Sequence, residues 1–190
     1  MKNIVVICSL ISVMMIAQFC TGNSVRNDSE KVIAVSGQTQ EELQVPPPVK
    51  NPYYSRTNTN KLNVSNKEWK KILSPELYEV ARLGGTETAF TGKYTDFKGI
   101  GTYYCAVCGN KLFRSDAKFS TTCGWPSFYQ PVSKKSVLYR EDTSYNMVRT
   151  EVLCGRCESH LGHVFDDGPE PTGKRYCMNS VCLEFEPDTQ

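Results

Sequence analysis

Both histidines of the 190-residue chain, His160 and His163, and four of its nine cysteines fall between Cys154 and Cys182, in CGRCESHLGHVFDDGPEPTGKRYCMNSVC. Cys154 and Cys157 form a C-x-x-C knuckle, matched by Cys105 and Cys108 in GTYYCAVCGNKLF. Two such knuckles supply four thiolates, the ligand set of a tetrahedral structural zinc site that leaves no open position for catalysis. The same cysteines could instead be redox pairs or two disulfides of an exported chain, but the duplication of the knuckle favours metal. With 45 residues between Cys108 and Cys154, the ion would clip together distant strand ends and contribute to folding.

Cys177, in RYCMNS, is left over once the knuckles are paired. On a strand, Arg175 and Asn179 share its face: the guanidinium favours a thiolate, and the amide can donate to whatever the sulfur attacks. His160 and His163 would face opposite ways in a straight strand, yet Gly162 permits a bend that brings both to one site. There an imidazole lowers the thiol's pKa or passes a proton to a leaving oxygen, and one of the two is assigned that role. Cys123, in TCGWPSF, is a second thiol outside the knuckles, so Cys123 and Cys177 suggest a resolving and an attacking cysteine. Cys182 is out of phase with Cys177 and reads as packing.

The elements that must hold these residues are mostly strands. Ser65 or Asn66 caps a short helix carrying Trp69, Ile72 and Leu73; Ser74-Pro75 opens a second through Leu77, Val80 and Leu83, stopped by Gly84-Gly85. Beyond it, Val148, Thr150 and Val152 alternate with Arg149 and Glu151, which predicts a strand whose charged face is wet. Tyr176 to Phe185 alternates as one strand, with Cys177, Asn179, Val181, Leu183 and Phe185 on one face. Thirteen glycines and ten prolines punctuate the strands. A net charge of only +2, from 22 basic and 20 acidic residues, gives no reason to expect a nucleic-acid or membrane-surface partner.

At the N-terminus, Lys2 precedes an apolar run from Ile4 to Ala17, too short to span a bilayer, which reads as a secretory signal over 1–22. Lipidation at Cys20, or an uncleaved signal, would instead anchor the chain to a membrane. Either way the domain is expected outside the cytosol. Residues 23–63, polar and containing Pro46-Pro47-Pro48, read as a flexible tether, and 64–188 as the folded domain.

GGTETAFTGKY, the two knuckles, CGWPSF, RTEVLCGRC, HLGHVFDDGP and RYCMNS closely resemble the methionine sulfoxide reductases of the B type, in family order from Trp69 to Phe185. The resemblance implies a mainly β domain of two antiparallel sheets, barrel-like or tent-like, with short N-terminal helices and one structural zinc. It implies reduction of the R epimer of methionine sulfoxide in proteins by a monomer, with a thioredoxin-like reductant. Carried over, Cys177 is the nucleophile, Cys123 the resolving cysteine that forms a disulfide with it, and Cys105, Cys108, Cys154 and Cys157 the zinc ligands. His163 and Asn179, with His160, hold and protonate the sulfoxide oxygen; Trp125, Phe128 and Arg175 line the substrate site. A non-catalytic zinc-ribbon module explains the knuckles but leaves these residues idle, and a general disulfide oxidoreductase needs a metal-free C-x-x-C.

Overall fold

Two helices open the domain, and both start at a serine. In this computed structural model, which describes residues 50–189, α1 (Asn66–Ile72) is capped by Ser65, whose side chain accepts from the Glu68 N–H. α2 (Pro75–Leu83) is capped by Ser74, with Pro75 in its first turn and Gly84 ending it at φ 75°. Trp69, Val80 and Ala81 are their buried residues.

The rest is strand and turn. One sheet has the order β2-β1-β9, formed by β1 (Gly101–Cys105), β2 (Lys111–Arg114) and β9 (Leu183–Pro187). The other contains β3 (Lys118–Phe119), β4 (Ser127–Phe128), β5 (Val137–Asp142), β6 (Arg149–Cys154), β7 (His160–Phe165) and β8 (Arg175–Met178), in the order β3-β4-β8-β7-β6-β5. All pairings are antiparallel. The expected mainly β architecture of two antiparallel sheets with short N-terminal helices is therefore present. Tyr103, Phe113 and Phe128 meet in the core, with the Phe113 and Phe128 rings stacked at 4.4 Å.

Three expectations need correction. Tyr176 to Phe185 is not one strand: β8 ends at Met178, a 3-10 turn spans Ser180–Cys182, and β9 then enters the other sheet. Alternation therefore stops before Asn179. The charged face of β6 is not wet either, since Glu151 is only 7% exposed. Finally, residues 50–63 of the expected tether are bound to the domain. Tyr53 and Leu62 pack on the core, and Tyr53 meets Trp69 edge-on at 5.2 Å. The buried Arg156 side chain donates to the carbonyls of Tyr53, Ser55, Asn60 and Cys108. Composition alone missed this because the segment's partners are backbone carbonyls and one distant arginine. The expected signal over 1–22 and tether residues 23–49 lie outside the described residues.

Candidate active site

The knuckles close first. Cys105 ends β1 and Cys154 ends β6, Cys108 and Cys157 lie in the turns that follow, and all four are buried with their sulfurs within 4.8 Å of one another. Cys105 and Cys157 are 3.8 Å apart and Cys108 and Cys154 3.6 Å. A tetrahedral ion bound at about 2.3 Å to sulfur has edges of about 3.8 Å, so these residues fit a metal ion. Ser55 donates its N–H to the Cys108 carbonyl and the Asn51 amide donates to that of Val107, so the N-terminal strap lies across one knuckle.

The thiols meet on the six-stranded sheet. Across β5, β6, β7, β8 and β4, Arg140, Glu151, His163, Cys177 and Ser127 pair in one row. Cys123, on the turn before β4, brings its sulfur to 3.5 Å from that of Cys177, and both are unbridged and half-buried. The register shift between Val152 and Leu153 combines with Gly162, where a Cβ would lie 2.1 Å from the Cys177 carbonyl. The result is the expected bend: the His160 and His163 rings lie 5.4 Å apart.

Each histidine leans on a carboxylate. His163 Nε2 lies 2.7 Å from Asp142 Oδ2, and His160 Nδ1 lies 2.7 Å from Glu151 Oε1. Hydrogen bonds from Ser144 and His163 hold Asp142 well below the usual carboxylate range. Burial pushes Glu151 up, but hydrogen bonds from Arg140 and His160 outweigh it and leave the carboxyl low. Burial lowers His160 despite Glu151, so its ring is neutral at pH 7.

The thiols differ in charge. Burial opposes ionisation of Cys123, but hydrogen bonds with Ser127 and Thr121 prevail and bring it to about 7. Burial and the neighbouring Cys123 push Cys177 up to about 12, against the pull of Arg175. Of the two, Cys123 is the more readily ionised; Arg175 favours the Cys177 thiolate, as expected, but burial and Cys123 outweigh it. Arg175 does lie beside the pair but spends two of its N–H groups on Asp167, each at 2.8 Å.

A pocket of about 110 Å³ opens onto Cys177, between Trp125, His163, Phe165, Arg149 and Asn179. At roughly 30 Å³ per water, it holds one side chain. Asn179 presents less than expected, because its Oδ1 accepts from the Glu87 N–H and its Nδ2 donates to the Leu161 carbonyl. Phe128 does not line the pocket. It pairs with Tyr176 on the opposite face and is fully buried, and strand alternation puts Ser127 beside Cys177 instead. Ser127, Asp142, Arg149 and Glu151 were missed. Ser127 in CGWPSF and Arg149 and Glu151 in RTEVLCGRC lay inside quoted motifs, whereas nothing in the sequence marked Asp142.

Such an arrangement suits two-thiol redox chemistry on a small side chain. The SelR domain matches residues 73–187. The peptide methionine sulfoxide reductase MsrB of Pseudomonas putida (strain W619) is 54% identical over 127 residues, which is 67% of this chain and 96% of that protein. That of Acinetobacter baylyi is 52% identical over 128 residues, 67% of this chain and 92% of its own length. Domain, relatives and the paired thiols agree, and the chain belongs to the methionine sulfoxide reductase B family.

Proposed function

We propose that the protein reduces the R epimer of methionine sulfoxide in polypeptides through a sulfenic acid on Cys177. The observation that carries this reading is the pair of unbridged sulfurs 3.5 Å apart, of which that of Cys177 lines a pocket for one side chain. As substrate enters, the Cys177 proton passes to Cys123, and the Cys177 thiolate attacks the sulfoxide sulfur. His163, oriented by Asp142, protonates the oxygen. The hydroxyl then passes from the methionine sulfur to the Cys177 sulfur as the bond between the two sulfurs breaks; methionine leaves with that electron pair, and Cys177 is left as a sulfenic acid. The Cys123 thiol then displaces the hydroxyl, giving a Cys123–Cys177 disulfide and water. A thioredoxin-like dithiol reopens it.

Trp125 faces the substrate's methyl group, with S–aromatic contact adding to shape. The four knuckle thiolates bind Zn²⁺; saturated by sulfur, it supplies folding energy and no catalysis.

Single-turnover assays test the scheme. Cys177→Ser should release no methionine. Cys123→Ser should release one equivalent and then stall with thioredoxin. Sustained thioredoxin-driven turnover by Cys123→Ser would remove Cys123 from the cycle.

A further inference from the structure

The segment GGTETAFTGKY, residues 84–94, carries neither metal ligand nor thiol, yet Glu87 within it touches two walls of the pocket and the turn that follows them. Its Oε1 accepts from the Ser180 N–H at 2.6 Å and its Oε2 from the Val181 N–H at 2.9 Å. This bidentate grip fixes the turn that carries the chain from β8 to β9, just after the nucleophile strand. The Glu87 main chain reaches the two pocket walls. Its N–H donates to Asn179 Oδ1 at 3.0 Å, and its carbonyl accepts from the Trp125 indole N–H at 3.2 Å. Gly92 closes the cradle, since a Cβ there would lie 2.6 Å from Glu87 Oε1 and 2.3 Å from Ser180 Oγ.

We propose that Glu87 is a positioning residue for substrate selection: it sets the spacing between the Trp125 indole and the Cys177 sulfur, and so the fit of the methyl sulfoxide. The inference rests on the activity proposed above. No charge on Glu87 reaches the reacting atoms. Its effect is geometric and acts through Trp125, Asn179 and the turn.

The test compares wild-type protein with Glu87→Gln and Gly92→Ala, using an R-sulfoxide peptide and dithiothreitol. In Glu87→Gln an amide NH₂ replaces one acceptor and faces a backbone N–H. Gly92→Ala crowds the same carboxylate from outside without altering it. Displacement of a reacting group by about an ångström costs about a hundredfold, so both variants should lose about 10- to 100-fold in kcat/KM, carried mainly by KM. Alkylation rates of Cys123 and Cys177 should stay within about twofold of wild type, because the thiol pair is held by other contacts. Acrylamide quenching should rise, and it reports Trp125, since Trp69 is 1% exposed. Wild-type KM in a folded Glu87→Gln, or an equal loss of thiol reactivity and activity, would overturn the inference. If Glu87→Gln does not fold, the same criteria apply to Gly92→Ala. Inactive wild-type protein would instead sink the proposed activity.

Discussion

The charge on the thiol pair can be read directly by alkylation. Reduced protein at about pH 8 should hold Cys123, at about 7, roughly nine-tenths ionised, and Cys177, at about 12, ionised in about one molecule in ten thousand. A thiolate of higher pKa is the stronger nucleophile, with a Brønsted slope of about 0.4–0.5, and across the roughly five pH units between the two this returns about two orders of magnitude. What remains is about a hundredfold preference for Cys123 when limiting iodoacetamide is followed by peptide mapping. In Cys123→Ser the neighbouring thiolate is gone while the burial stays, so Cys177 should label faster than in wild type, by about threefold for each pH unit that its pKa falls. Equal labelling of the two cysteines in wild type, or Cys177 first, would refute the placement of the charge and the proton transfer built on it.

Three further outcomes follow from the same contacts. Arg156→Met leaves the strap carbonyls of Tyr53, Ser55 and Asn60 without their donor; at about 1–3 kcal/mol per unsatisfied group, the strap should loosen and zinc transfer to a chromogenic chelator should accelerate. Phe128→Ala should cost about 3–5 kcal/mol of stability by chemical denaturation, whereas Ser127→Ala should leave stability nearly intact and raise the alkylation midpoint of Cys123, which loses a hydrogen bond. Glu151 lies below its ordinary 4.5 in the folded state, so its stabilisation is complete above that value and is lost as pH falls through the folded value; unfolding curves of Glu151→Gln should depend less on pH in this acid range than those of wild type.

The sequence made the site's chemistry legible and its supports largely not. C-x-x-C spacing announces a metal ligand set because the chemistry is local to a turn, and the Ser-capped helices are equally local. The bend at Gly162 could be expected because glycine between two histidines is informative by itself. Alternation misled at Asn179 because nothing in MNSVC marks the chain's departure from one sheet to the other. It misled again at Arg149 and Glu151, where charge suggested water and the actual partners, Asp142, Arg140 and His160, come from neighbouring strands. Those partners depend on register, which long-range pairing alone fixes. Residues 50–63 look like linker for a similar reason: their binding is written mostly in Arg156, about a hundred positions later.

The strand that carries Cys177 runs on, after a single turn, into the opposite sheet, where Leu183 pairs with Cys105 of the first knuckle. A tug on one therefore arrives at the other through six residues of main chain and one strand pairing. Heating or stripping the ion should leave no long-lived, metal-free but competent catalyst: repair capacity and architecture should vanish together, in a single melting event.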